Sequence, residues 1–581
     1  MTAEGPILLS FPRCGLAASI LCACILQPPE RERPARDSYR PYPRDGTLNR
    51  AFDRAAGIWF GLSTGLFLAL FWILHRVRLL IYDDAFIHLR IARNLALSGR
   101  AFWNPGERVM ATSSPVWTVL LAVSGVWRHR ACLSMLPIIE ALLVAWCATL
   151  AFRIALVVLR GSWPDRGLAR HVFPTLAGGG TILLLMSSAY AQMESPLAIG
   201  LLLAAAYSFL RGSRWGLVWL SFAALTRLEM LPLLALALVF AAGVRKVVDA
   251  SIAAATVVAV FAGFLFWQFG VVLPNSMHAK SIGYGLSHSD AFGQFFPPRL
   301  TGHFFLCGLL GFFLCVLIDC SFGTRPAGEK DFRWLPAISF SWGMIVILEY
   351  TVESAMMFDW YLPLIYVPLL LGLLLYRPAG NASLWLRGTL LSTAILGLTT
   401  IMIHPVKSFA RLLVPIVRGT PEAVGQFDGF AGFRVHQYFE VGATLHATCP
   451  SGRVMSPEIG ALGFGFEGHV DDAFGIASPL ALAFQPLRSG AASGGVPAGY
   501  VHALHPDVIV SYDFLATEVT NDAELMKEYR LTGITSAMHS STTGRQIEAG
   551  WMGSRHLNVF VLRGGRCDTG AVASGLGNLR F

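Results

Sequence analysis

Between Gly57 and residue 403 the chain repeatedly runs for roughly twenty residues almost without charge, and short arginine-bearing loops separate the runs. A run of that length crosses the ~30 Å hydrocarbon core of a bilayer as a helix. Only 14% of residues are charged, against about 25% in soluble domains, and mean hydropathy is +0.55. The sequence therefore specifies a polytopic α-helical membrane protein. A net charge of +9 would suggest nucleic acid in a soluble chain. Here Lys and Arg gather in short loops between apolar runs, as cytoplasmic loops do, so no nucleic-acid partner is expected and membrane lipids are.

Residues 1–29 are apolar but broken by Pro12, Arg13 and Pro28, and Glu4 stands where a signal peptide needs basic residues. Residues 30–54 carry seven arginines among prolines and tyrosines. The stretch 1–56 is thus expected to be a basic, disordered cytoplasmic segment. Spans are expected at about 57–76, 133–159, 172–190, 196–210, 215–226, 230–243, 248–269, 303–320, 335–351, 360–376 and 388–403, about eleven in all. This order puts the N-terminus inside, the C-terminus outside, and the arginine-rich loops on one side.

The transmembrane domain, 57–403, then contains a long first outer loop, 77–132. In that loop Phe86, Leu89, Ile91 and Leu95 recur at helical spacing opposite Arg90 and Arg93. Such a pattern predicts a helix lying on the membrane surface. The apolar stretch 115–127 is too short to cross and reads as a re-entrant or surface helix. Residues 404–581 differ in kind, with strand-like runs Val508-Ile509-Val510 and Val559-Phe560-Val561-Leu562 and a Gly/Ser linker at 489–495. They predict one extracytoplasmic soluble α/β domain.

Of the ten cysteines, none has zinc-finger spacing; Cys132, Cys147, Cys307, Cys315 and Cys320 lie in or beside apolar runs as small hydrophobes. Cys449 and Cys567, in the polar tail, are either one disulfide or two unrelated thiols. There is no phosphate loop and no HExxH, which disfavours a nucleotide-sugar donor or a zinc hydrolase.

Chemistry concentrates on loops expected to share the outer side. Asp83 and Asp84 adjoin a membrane span, where two carboxylates are costly neighbours for lipid. They suit proton abstraction from a hydroxyl or a divalent metal, Mg²⁺ or Mn²⁺ better than zinc, although a helix N-cap with a first-turn acid also fits them. Arg90, Arg93, Glu194, Arg227, Glu229, Asn275, His278 and Lys280 complete the set. Guanidinium suits phosphate, whereas the two glutamates also fit interfacial ion pairs and Lys280 a lipid-snorkelling role.

The stretch DDAFIHLRIARNLALSGRAFWNPGERVMATSSPVWTVLLA, from Asp83, resembles the first outer loop of bacterial GT-C glycosyltransferases. It is most similar to the branch containing the terminal arabinofuranosyltransferases of actinobacterial cell walls. AQMESPL, AALTRLE, VLPNSMHAK and the tail segment SPEIGALGF resemble that branch at similar places. The resemblance implies a GT-C-like fold in a bacterial cytoplasmic membrane and a polyprenyl-phosphate sugar donor. It also implies an extracytoplasmic envelope acceptor (glycan, lipid or protein) and inversion at the anomeric carbon. Asp83 or Asp84 would serve as base, with a divalent cation in some members. Met110-Ala111-Thr112 departs from the branch, so no particular sugar is implied.

Two other classes compete. A lipid-linked-sugar transporter should show inverted repeats and polar residues at mid-span, and the spans here read as apolar in their middles. A non-catalytic assembly or motility factor would work through its tail, and deletion of 410–581 discriminates it.

Overall fold

A computed structural model describes residues 46–76, 82–128, 132–162, 169–211, 213–242, 248–295, 334–376, 429–487, 494–535, 537–539, 546–548 and 556–579. In chain order the membrane-domain helices are α1 (Gly46–Arg76), α2 (Asp83–Ser98), α3 (Pro115–Ser124), α4 (Cys132–Ser162), α5 (Ala169–Ala191), α6 (Ser195–Leu210) and α7 (Gly216–Thr226). Then come α8 (Leu231–Ala242), α9 (Val248–Phe269), α10 (Asn275–Tyr284), α11 (Trp334–Val352) and α12 (Pro363–Leu375). Helix α4 packs against α1, α5 and α6; α6 packs on α7, α7 on α9, and α11 on α12. Ala141, Ala145, Ala148, Ala151 and Ala155 of α4 are buried, and such small side chains let helices approach closely where lipid offers no hydrophobic drive.

Three stretches are long and apolar enough to cross a membrane by length and composition: Met135–Val158, Val248–Phe269 and Leu335–Val352. Helix α9 leaves Val260, Phe266 and Trp267 exposed, an apolar surface suited to lipid. Helices also occupy the expected stretches 172–190, 196–210, 215–226, 230–243 and 360–376, but their apolar parts are only 10–17 residues long. The expected total of eleven is therefore not reached among the described residues; 303–320 and 388–403 lie outside them. Helix α1 covers 57–76 and starts at Gly46, so residues 46–56, expected to be disordered, are helical.

Helix α2 corrects a second expectation. It does not lie on a surface with one wet face. Asp83 and every residue from Ala85 to Arg93 are buried, because α3 covers one side and the C-terminal domain the other. Phe86 meets Phe464 of that domain, ring centroids 5.4 Å apart. The helix stops where Gly99 takes a left-handed turn (φ 69) and returns its N–H to Leu95 O.

The C-terminal part, expected to be α/β, carries a small sheet with helices around it. It starts with α13 (Gly429–Thr448) and continues through β1 (Arg453–Ser456), α14 (Gly460–Phe466), β2 (His469–Asp472), β3 (Val508–Tyr512) and β4 (Tyr529–Thr535). β5 (Ala537–His539), β6 (Gln546–Glu548), β7 (His556–Leu562) and α15 (Gly570–Gly577) follow. The main sheet runs β2-β1-β3-β7-β4, parallel from β2 to β3 and antiparallel beyond. Both runs that read as strands are adjacent in it, with Val508 opposite Val561. β3 is buried along its whole length, which explains its unbroken apolar pattern. Cys449 and Cys567 are joined, tying the end of α13 to the approach of α15.

Candidate active site

The adjacent carboxylates have different fates. Successive helix residues are turned about 100° from each other, so one position faces the C-terminal domain and the next faces away. Asp83 is buried, and its two oxygens accept the Gly460 and Ala461 amides, each at 2.8 Å. Burial pushes its carboxyl up; the Ala461 amide, the Arg434 charge and the Gly460 amide only partly offset this. Asp84 keeps 27% of its side chain exposed and stands 3.6 Å from the Lys280 ammonium.

Lys280 lies on α10, and its Nζ donates to the Tyr361 hydroxyl at 3.1 Å while sitting 4.9 Å from the Phe358 ring centroid. Burial alone would lower this ammonium, but Tyr361 and the Asp84 carboxylate outweigh it and hold the group raised and charged. The Arg227 guanidinium also lies over the Tyr361 ring, 4.2 Å from its centroid. Its two terminal nitrogens donate to Glu194 and, at 2.6 Å, to Glu229, which also receives the Tyr350 hydroxyl at 3.4 Å.

His88, one helical turn after Asp84, places Nε2 3.5 Å from Glu194 and Nδ1 3.0 Å from the Thr112 hydroxyl. Burial lowers this imidazole more than the Glu194 charge raises it. Gln192, two residues before Glu194, is buried with φ 57. A left-handed non-glycine backbone costs on the order of 1–3 kcal/mol and persists where its surroundings enforce it.

Ser113, Arg227, Glu229, Lys280, Glu349, Tyr350 and Tyr361 line an open cleft. Asp84, Glu194, Arg227, Glu229 and Lys280, picked out in the sequence on separate loops, are thus brought into one linked cluster. Sequence reasoning missed His88, Tyr350 and Tyr361. His88 carried a usable signal, its i+4 spacing from Asp84 on one helix face.

The other four residues stand elsewhere. Arg90, expected to grip phosphate, donates instead to the carbonyls of Gly463 and Gly468 at 2.6 Å and of Trp103 at 3.2 Å. Arg93 pairs with Glu467 at 2.5 Å. Asn275 donates its side-chain amide to Gly475 O and Ile476 O. His278 is exposed and outside the cleft lining. Arg90 spends its donors on buried carbonyls and Arg93 spends one on Glu467, so neither guanidinium is turned to a phosphate.

A divalent cation does not fit the acidic corner. Asp83 gives both oxygens to amides, and among the described residues no group of three or more His, Cys, Asp or Glu is placed to hold a metal. Compared with known proteins, the chain matches no family model, no curated protein and no solved structure.

Proposed function

We propose that this protein is a membrane glycosyltransferase that moves a sugar from a polyprenyl-phosphate carrier to a hydroxyl of an extracytoplasmic envelope acceptor, with Asp84 as base. The observation that carries this reading is the 3.6 Å pairing of Asp84, a partly exposed carboxylate, with the charged Lys280 beside the cleft. In the step envisaged, the acceptor hydroxyl gives its proton to Asp84 while its oxygen bonds to the anomeric carbon. The bond from that carbon to the phosphate oxygen breaks, and its electron pair leaves with the polyprenyl phosphate. General-base help of this kind is worth roughly 10²–10⁴-fold.

Lys280 is the cation offered to the leaving phosphate, since both terminal nitrogens of Arg227 are held by glutamates. Arg227 instead supports Tyr361, whose hydroxyl accepts from Lys280. An apolar approach supports a lipid donor: Leu273 and Met277 are exposed, and Met277 also lines the cleft. The Cys449–Cys567 bridge fits an oxidising, extracytoplasmic compartment for the tail. The test is sugar transfer in membranes supplied with polyprenyl-phosphate-linked sugars, products being read by mass spectrometry. An Asp84→Asn protein that transfers as well as the parent would sink the mechanism.

A further inference from the structure

We propose that the C-terminal domain is the jig that sets the Asp84–Lys280 separation, with Asp83 and Asn275 as its positioning residues; this rests on the reading of Asp84 and Lys280 as the working pair. Asp84 and Lys280 belong to α2 and α10, elements about two hundred residues apart in sequence. Each of these helices is gripped at its start by the same domain.

For α2, the Asp83 carboxylate takes the two amides of Gly460 and Ala461, in the segment that follows β1. Seven residues on, the Arg90 guanidinium donates to Gly463 O within α14 and to Gly468 O just past its end. Two attachments about 10.5 Å apart along one helix fix both its rotation and its axial position. The contact leaves no slack: a Cβ at position 460 would run into the Asp83 backbone carbonyl, so only glycine fits.

For α10, the Asn275 side chain donates to Gly475 O at 2.6 Å and Ile476 O at 2.9 Å, in the loop after β2. Later in the helix, Tyr284 packs on Phe474 of that loop, centroids 5.0 Å apart, and a Cβ at Gly283 would meet the Phe474 ring. The loop is braced by Asp472, whose carboxylate takes the Phe474 and Ala477 amides at 2.9 and 2.7 Å. β2 and β1 are paired in register, Asp472 opposite Ser456, so the two grips are parts of one rigid edge. Asp83 and Asn275 act through the residues they aim, Asp84 and Lys280, of which Lys280 lines the cleft.

The test compares full-length protein in detergent with its Asp83→Ala, Asn275→Ala and Gly460→Ala variants by amide hydrogen exchange. Exchange should rise in 83–98 for Asp83→Ala and Gly460→Ala and in 275–284 for Asn275→Ala, with 135–158 unchanged in all three. In transfer assays with a polyprenyl-phosphate-linked sugar, kcat should fall by up to about 10²-fold, the cost of ångström-scale misplacement, while KM for the donor stays within about twofold. Asp83→Asn, which keeps one acceptor oxygen, should recover part of kcat. Unchanged exchange in 83–98 and 275–284 would overturn the jig. If exchange rises as expected but Asp84→Asn remains fully active, the jig stands and the glycosyltransferase reading falls.

Discussion

The Asp84 carboxylate lies 3.6 Å from the Lys280 ammonium, and the Tyr361 hydroxyl accepts from the same nitrogen at 3.1 Å. A base and a cation this close share one task only if both face the substrate. Asp84→Asn should lower transfer by roughly 10²–10⁴-fold. Lys280→Met should also lower it, and the double variant should lose less than the product of the two single losses, since the pair works as a unit. Single-turnover rates of the four proteins check this, and strictly multiplicative losses would argue against a shared step.

Arg227 and Glu194 form a buried pair, their side chains 1% and 0% exposed, with Glu229 as third member. Removing one partner of a buried pair leaves an uncompensated charge and costs on the order of 3–5 kcal/mol. Arg227→Ala should therefore lower thermal stability in detergent more than Lys280→Met, which leaves behind only the 27% exposed Asp84 and not the enclosed Glu194. Arg227→Ala melting at the parent temperature would show that the triad bears no structural charge.

The sequence made the separate polar loops legible because charges beside apolar runs are conspicuous. Hydropathy located α4, α9 and α11, and the two apolar strand runs located β3 and β7. It could not tell Asp83 from Asp84, or a phosphate-gripping arginine from Arg90. Those distinctions depend on the amides of Gly460 and Ala461, which hold Asp83, and on the carbonyls of Gly463 and Gly468, which hold Arg90, all more than 370 residues downstream in the chain. Tyr361 was illegible for the same reason, since an aromatic at a span end reads as an interfacial anchor until Arg227 is seen stacked on it.

The Cys449–Cys567 bridge closes a sequence separation of 118 residues. Loops of that size gain roughly 2–5 kcal/mol from such a link by restricting the unfolded chain. Replacing both residues by serine should make the tail more sensitive to limited proteolysis and to denaturant, leaving 135–158 protected. A tail equally resistant with and without the bridge would contradict this.

Two buried carboxyls should make the stability of the C-terminal domain fall with rising pH. Burial lifts Asp472 from 3.8 to about 7, against the pull of the Ala477, Gly475, Phe474 and Ile476 amides. Burial likewise lifts Glu458 from 4.5 to about 7, against the Arg434 charge. Both folded values lie above the unfolded ones, so between about pH 4 and 7 these two groups hold more protons in the folded domain than in the unfolded chain. Its stability is then full below about pH 4 with respect to these groups, and is lost as pH rises through about 7. The slope is at most about 1.4 kcal/mol per pH unit for each group. Carboxylates held low, such as Asp471 beneath its His469 and Arg453 partners, act in the opposite sense and at lower pH. The unfolding temperature of the C-terminal domain should accordingly fall from pH 5 to 7 and level off above pH 8. Asp472→Asn should flatten part of that slope. A melting temperature that climbs from pH 5 to 7 would mean that the lowered carboxylates, and not Asp472 and Glu458, govern the domain.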